Sequence, residues 1–104
     1  HIEKVRAIYK TKRDAMAEAL TRRAGGLLRF DIPDGGLFLW CECDMDGRDL
    51  CLAAGKLGVA AVPGCSFLAD ESQVSKAIRL NYSLPTLEQI EKGVDLLAQA
   101  VRSF

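Results

Sequence analysis

Apolar residues near both ends of the chain recur every three or four positions, which is the spacing of one face of an α-helix. In the C-terminal segment they are Leu87, Ile90, Val94, Leu97, Val101 and Phe104. This stripe predicts a helix that packs by one face, and Thr86 with Gln89 provides the capping-box signature for its start. Residues 1–23 show a similar spacing and predict a helix that ends before Gly25 and Gly26.

Between these helices the apolar residues form shorter runs that predict strands. The runs are residues 27–30, 37–43, 59–62 and 76–83. A middle helix is predicted to begin at Asp46 or Gly47 and to end at Gly58. Residues 37–43 are apolar on both faces until Glu42, which is typical of a central strand that is covered on both sides.

The predicted elements follow one another as helix, strand, strand, helix, strand, strand, helix. This order predicts an α/β fold, an α+β two-layer sandwich in which a small mixed sheet of about four strands has helices packed mainly on one face. The opposite face of the sheet is then available to another domain. The 104 residues are enough for one domain, which we assign to residues 1–104.

Charge and hydropathy exclude several classes of partner. The 14 basic and 14 acidic residues cancel, so no basic surface is expected for a nucleic acid and no polybasic patch for a membrane. The apolar runs are far shorter than the roughly 20 residues of a membrane-spanning helix. The first residues are charged and periodic, unlike those of a signal peptide.

The cysteines give little support for a metal site or a nucleophile. There are four, Cys41, Cys43, Cys51 and Cys65, without a C-x-x-C pair, and the single histidine is residue 1. Without such a pair a zinc site is weakly supported. A reactive Cys65 after Pro63-Gly64 stays an alternative, although no histidine base can be assigned to it. The pattern favours reduced, partly buried thiols in a cytoplasmic protein.

One arginine lies inside an apolar strand pattern. Ile78, Leu80 and Tyr82 would face one side of the strand, and Arg79 would face the other. Burying an arginine in such surroundings is costly without an anion, and its planar fork matches a carboxylate. Arg79 is therefore predicted to bind a carboxylate. Position alone leaves a structural ion pair or a solvent-facing side chain as alternatives.

Four phrases occur in an order and spacing that one enzyme family shares. They are residues 1–16, the phrase Pro33-Asp34-Gly35-Gly36-Leu37-Phe38-Leu39-Trp40, residues 58–67, and Ile78-Arg79-Leu80-Asn81-Tyr82-Ser83 running on to residue 93. Together they resemble the C-terminal small domain of class I/II, fold-type I, pyridoxal-phosphate-dependent aminotransferases. The resemblance is closest to the aminoadipate and kynurenine types and to the aminotransferase-like half of bacterial transcription regulators. It covers essentially the whole chain.

The resemblance implies roles for three residues in substrate binding. Arg79 would bind the substrate α-carboxylate, Gly36 would allow close backbone approach at the active-site mouth, and Phe38 would line the substrate side. The alternatives are an ordinary turn for Gly36 and a core position for Phe38. No catalytic residue, cofactor-binding residue or metal ligand is assigned to this chain, because in this family the Schiff-base lysine lies on the preceding large domain.

The resemblance also implies a longer parent enzyme, and the opening inside a helical pattern without methionine fits this expectation. The parent would use pyridoxal phosphate to move an amino group between an amino acid and a 2-oxo acid, and it would pair as a homodimer. This chain alone would bind no cofactor and would be inactive. The alternatives are an aminotransferase-like, effector-sensing domain of a transcription regulator, or a stand-alone, non-catalytic α/β interaction module.

Overall fold

Three α-helices and three β-strands follow one another in the computed structural model, which describes residues 1–104. The order is α1 (Ile2–Ala24), β1 (Phe38–Glu42), α2 (Gly47–Lys56), β2 (Val62–Pro63), β3 (Ala77–Asn81) and α3 (Leu87–Arg102), with a short 3₁₀ helix (Gly64–Phe67) directly after β2. The predicted fold class, helices packed on one side of a small sheet, is confirmed. None of the helices has both the length and the apolar character that a membrane span requires.

The helix ends lie close to the predicted positions because local signals determine them. At the start of α3, the Thr86 hydroxyl accepts a hydrogen bond from the Gln89 amide at 3.1 Å, and the Gln89 side chain accepts from the Thr86 amide at 2.9 Å. At the start of α2, the Asp46 carboxylate accepts from the Arg48 amide at 3.0 Å. Beyond the end of α1, Gly26 has a φ of +83°, which glycine adopts without strain. The capping box and the start of α2 are therefore confirmed.

The sheet is antiparallel throughout and has three strands in the order β1-β3-β2, so the expected mixed sheet of about four strands is corrected. Residues 27–30 form only two isolated bridges, one between Gly25 and Leu28 and one between Arg29 and Glu42. The Leu28 amide bonds the Ala24 carbonyl at 3.0 Å instead, which holds the segment in the turn after α1. The predicted strand at 59–62 is likewise reduced to β2, because the exit from α2 uses the Val59 amide.

The first strand lies at the edge of the sheet, which corrects its predicted central position. Side chains alternate along it: Leu39 and Cys41 are fully buried, whereas Trp40 is 44% exposed. The central strand is β3, and its register places Trp40 opposite Arg79 and Leu39 opposite Leu80. The apolar side chains on the second face of β1 therefore remain largely uncovered in this chain.

The hydrophobic core lies between the helices and one face of the sheet. Its largest fully buried side chains are Tyr82, Leu20, Leu39, Leu50, Ile78 and Leu97. The predicted facing of Ile78, Leu80 and Tyr82 is confirmed, since all three belong to this core. The stripe along α3 is buried at its four middle positions, while Leu87 and Phe104 at its ends are exposed. Truncating a core leucine to alanine costs about 2–5 kcal/mol of stability.

Ion pairs at the surface add to the packing of α1 on α3. The Glu91 carboxylate accepts from Arg22 at 2.7 Å and from Arg23 at 2.8 Å, and Arg23 also reaches Asp95 at 3.2 Å. Hydrogen bonds from Arg23 and Arg22 lower the pKa of Glu91 below its usual value. The charged form of Glu91 is therefore favoured in the folded state.

Candidate functional site

The Arg79 side chain lies against two aromatic rings on the uncovered face of the sheet. Its Cζ is 3.8 Å from the centroid of the Phe38 ring and 4.6 Å from that of the Phe67 ring. Both distances are within the range of cation–π interactions. The strand alternation explains the first contact, because Phe38 pairs with Asn81 and so lies diagonally across from Arg79 on the same face.

The Arg79 guanidinium has no acidic partner. All seven ion pairs of the chain involve other residues, and the buried Arg79 Nε atom has no hydrogen-bond acceptor. A buried polar group left unpaired costs about 1–3 kcal/mol, and more when it is charged. The structural ion pair considered as an alternative is therefore absent. A positively charged fork without an acceptor is suited to an incoming anion.

Phe67 reaches Arg79 because the 3₁₀ helix packs tightly against β3. A Cβ atom on Gly64 would lie 2.5 Å from the Ser75 Oγ and 3.0 Å from the Ala77 carbonyl oxygen, so only glycine fits there without a shift. Phe67 is 48% exposed, and its ring meets Trp40 edge-on at 5.9 Å between centroids. Trp40 and Phe67 thus form an apolar wall beside the guanidinium.

Gly36 lies just before β1 and is held by the residue that follows β3. Its φ of +89° lies in the left-handed region that favours glycine. The Tyr82 hydroxyl donates to the Gly36 carbonyl at 2.6 Å, and the Tyr82 amide donates to the Leu37 carbonyl at 3.0 Å. No hydrogen bond joins Gly36 to Arg79.

The structure thus brings two of the three predicted substrate-binding residues into contact, Arg79 and Phe38. Phe38 is half-buried against the guanidinium and lies outside the core cluster of this chain. Phe67 is only the last residue of the phrase 58–67 in the sequence analysis, which gives it no contact. The alternation along 37–43 already placed Trp40 on the same face as Phe38. The path of the chain after Pro63, which brings in Phe67, leaves no such periodic signal.

The comparisons with known proteins begin with one negative result: no protein-family model matches the chain. An uncharacterized aminotransferase of Saccharolobus solfataricus is 35% identical over 104 residues, which make up 98% of this chain and 26% of that protein. The 2-aminoadipate transaminase of Thermus thermophilus is 34% identical over 105 residues, 99% of this chain and 26% of that protein. Both alignments cover essentially all of the described fold.

Solved structures give the same relationship. A multiple substrate aminotransferase from Thermococcus profundus matches with a TM-score of 0.90 and 32% identity, over 99% of this chain and 26% of that one. LysN, the alpha-aminoadipate aminotransferase of Thermus thermophilus, solved with N-(5'-phosphopyridoxyl)-L-leucine, matches with a TM-score of 0.88 and 33% identity, over 97% of this chain and 26% of that one. Over nearly its whole length the chain is similar to one part of these aminotransferases. It spans 26% of the length of the matched protein in each of these comparisons.

A more distant relative of the chain is not named as an enzyme. An uncharacterized HTH-type transcriptional regulator of Bacillus subtilis is 28% identical over 106 residues, which cover 100% of this chain and 21% of that protein. The same sequence pattern therefore occurs in proteins with two different kinds of name.

The six lysines of the chain are exposed or half-buried. A lysine that forms a Schiff base needs a desolvated environment that lowers its pKa. Five lysines are exposed: Lys4, Lys10, Lys56, Lys76 and Lys92. Lys12 is half-buried, and its ammonium donates to the Ser83 carbonyl at 3.0 Å. None of the six is fully buried in this structure.

The four cysteines of the chain are free thiols that are buried or half-buried. Cys41, Cys43 and Cys65 are buried, and Cys51 is half-buried. Burial raises the pKa of Cys41 to about 12 and that of Cys51 to about 11, so both remain neutral thiols near pH 7. No group of three or more histidine, cysteine, aspartate or glutamate side chains is arranged to hold a metal ion.

Proposed function

We propose that the chain is the small domain of a pyridoxal-phosphate-dependent aminotransferase and that Arg79 binds the α-carboxylate of its substrates. One observation carries the proposal: the guanidinium lies against two phenyl rings on the uncovered sheet face and has no acidic partner. The homology to aminotransferases supports the reaction, which is transfer of an amino group between an amino acid and a 2-oxo acid.

Arg79 contributes by binding and orienting the substrate. Its fork donates two parallel, charge-assisted hydrogen bonds to the carboxylate. The rings of Phe38 and Phe67 restrict the plane of the guanidinium, so less side-chain freedom is lost when the substrate binds. A substrate held at its carboxylate presents the bond at Cα in one orientation, which lowers the entropic part of the barrier.

The two other predicted substrate-binding residues support the position of the Arg79 guanidinium, Phe38 through its ring and Gly36 through its backbone. Phe38 forms the inner wall of the Arg79 site, and Gly36 brings the chain to the mouth of the site through a conformation that glycine favours. Closure of this surface over a bound substrate would exclude water from the reacting atoms. In the full protein, pyridoxal phosphate supplies the electron sink for the chemistry.

We infer the partners from the same homology. The Schiff-base lysine and the cofactor would lie on a large domain of the same polypeptide, and the active enzyme would be a cytoplasmic homodimer. The exposed apolar side chains support a further protein surface over this domain. Ile2 and Ile8 on α1 are 66% and 53% exposed. Trp40 and Phe67, beside Arg79, are 44% and 48% exposed. Apolar patches of this kind commonly mark interfaces.

The similarity to a transcriptional regulator supports a second candidate function, in which the same Arg79 site senses a carboxylate effector without turnover. A stand-alone interaction module is the third candidate. The reading frame upstream of His1 separates the three. It would encode a cofactor domain in an enzyme, a helix-turn-helix before that domain in a regulator, and an immediate start codon in a stand-alone module.

The proposal is tested by kinetics of the full-length protein. Arg79→Ala removes a desolvated charge contact worth about 2–5 kcal/mol, which corresponds to roughly 30- to several-thousand-fold in kcat/KM for an amino acid. Arg79→Lys should recover little of this loss, because an ammonium cannot form the bidentate fork. The amine that lacks the carboxylate should be turned over by both variants at the wild-type rate.

Arg29→Ala is the matched control, because Arg29 is an exposed arginine that pairs with Asp44 and contacts neither of the two phenyl rings beside Arg79. It should retain wild-type kcat/KM for the amino acid and for the amine. Wild-type activity of Arg79→Ala toward the amino acid, or equal losses for the amino acid and the amine, would refute the proposed role of Arg79.

A further inference from the structure

Tyr82 is a buried tyrosine that holds the backbone leading into β1. Its side chain is only 1% exposed. Its hydroxyl donates to the Gly36 carbonyl at 2.6 Å, and its amide donates to the Leu37 carbonyl at 3.0 Å. One residue therefore binds two consecutive carbonyl groups immediately before Phe38.

The buried environment of the Tyr82 hydroxyl favours its hydrogen bond to the Gly36 carbonyl. A buried phenol requires a partner, and the Gly36 carbonyl is the one that it has. Burial also raises the pKa of Tyr82, which keeps the hydroxyl protonated and able to donate. The left-handed φ of +89° at Gly36 belongs to the turn whose carbonyl accepts this bond.

The segment held by Tyr82 leads directly to the ring that contacts Arg79. Phe38 is the first residue of β1, two positions after Gly36, and its ring centroid lies 3.8 Å from the guanidinium carbon of Arg79. Arg79 and Tyr82 lie three positions apart in the chain. The residue that carries the guanidinium and the residue that binds the Gly36 turn therefore belong to one short segment. A shift of the turn at Gly36 would therefore move the Phe38 ring relative to the guanidinium.

We propose that Tyr82 is a positioning residue for substrate binding, which acts through the Gly36 carbonyl and the Phe38 ring to fix the guanidinium of Arg79. This inference rests on the proposed function of Arg79 as the carboxylate-binding residue. Tyr82 touches neither the substrate nor the guanidinium in this scheme. Its hydroxyl fixes the turn at Gly36, and that turn fixes the position of the Phe38 ring.

Tyr82→Phe removes the hydroxyl and retains the buried ring, so the core stays filled. A neutral hydrogen bond contributes about 0.5–1.5 kcal/mol net, so kcat/KM of the full-length protein for an amino acid should fall about 2- to 12-fold. We expect the loss mainly as a raised KM, because the ground-state carboxylate contact is weakened. The decarboxylated amine should be turned over at the wild-type rate.

A double-mutant cycle separates positioning from a general loss of structure. If Tyr82 acts through Arg79, adding Tyr82→Phe to Arg79→Ala should cause no further loss for the amino acid. Tyr9→Phe is the matched control, because Tyr9 is a half-buried tyrosine packed against the core, and its hydroxyl makes no hydrogen bond. It should leave both substrates unaffected.

The outcomes distinguish this inference from the proposed function. If Arg79→Ala alone leaves kcat/KM for the amino acid unchanged, the proposed function fails and the inference fails with it. If Arg79→Ala causes a carboxylate-selective loss but Tyr82→Phe causes none, impairs both substrates equally, or lowers kcat/KM further in the Arg79→Ala background, only the positioning role of Tyr82 is overturned.

Discussion

The two phenyl rings around Arg79 make a graded prediction about substrate binding. Phe38 is half-buried and its ring centroid lies 3.8 Å from the guanidinium carbon, whereas Phe67 is 48% exposed and lies 4.6 Å away. Cation–π contacts contribute about 0.5–1 kcal/mol at exposed sites and about 2 kcal/mol when desolvated. Phe38→Leu should therefore cost about 1–2 kcal/mol, or 5- to 30-fold, and Phe67→Leu about 0.5–1 kcal/mol, or 2- to 5-fold.

The assay is kcat/KM of the full-length protein for an amino acid and for its decarboxylated amine. Both leucine variants should lower the first value and spare the second, with the larger effect at Phe38. Phe30→Leu is the matched control, since Phe30 packs against the core and makes no contact with Arg79. The reasoning is refuted if the order of the two effects is reversed, or if either variant impairs the amine as much as the amino acid.

Two further predictions concern cofactor retention by the lysines and the pH dependence of the Glu91 ion pairs. Because its lysines are exposed or half-buried, the chain mixed with pyridoxal phosphate and then dialysed should keep no visible absorption band; a band that borohydride traps on one lysine would contradict this. The pKa of Glu91 is lower in the folded state than its usual value of about 4.5, so the folded state binds fewer protons than the unfolded state in the pH range between the two values. The stability that the Glu91 ion pairs contribute is therefore present above about pH 4.5 and is lost as the pH falls through the folded pKa. Urea unfolding should show wild type more stable than Glu91→Gln at about pH 7 and the difference shrinking toward about pH 3; a difference that does not change with pH would count against the ion pairs.

Local signals explain the elements that could be predicted from the sequence. The capping box at Thr86 and Gln89 and the cap at Asp46 depend only on neighbouring residues, so these helix starts match the structure. The face of the sheet on which Arg79 lies follows from alternation alone. The candidate carboxylate-binding residue could therefore be named before any contact was known.

Contacts between distant segments explain what could not be predicted. The position of β1 at the edge of the sheet depends on which strand pairs with β3, and an apolar run such as 37–43 is equally compatible with a central strand and with an edge strand whose second face awaits another protein surface. The strand expected at 59–62 is shortened because the Val59 amide bonds the end of α2. The contact of Phe67 with Arg79 requires the close approach at Gly64, which no periodicity reveals.

The most direct test of Arg79 measures binding rather than turnover. The probes are 3-phenylpropanoate and its uncharged analogue 3-phenylpropanamide, titrated into the full-length, cofactor-loaded protein and its Arg79→Ala variant. We expect wild type to bind the carboxylate more tightly than the amide, and Arg79→Ala to lose that preference while its affinity for the amide is retained. An Arg79→Ala variant that still prefers the carboxylate by the wild-type ratio would contradict the assignment of Arg79 as the carboxylate-binding residue.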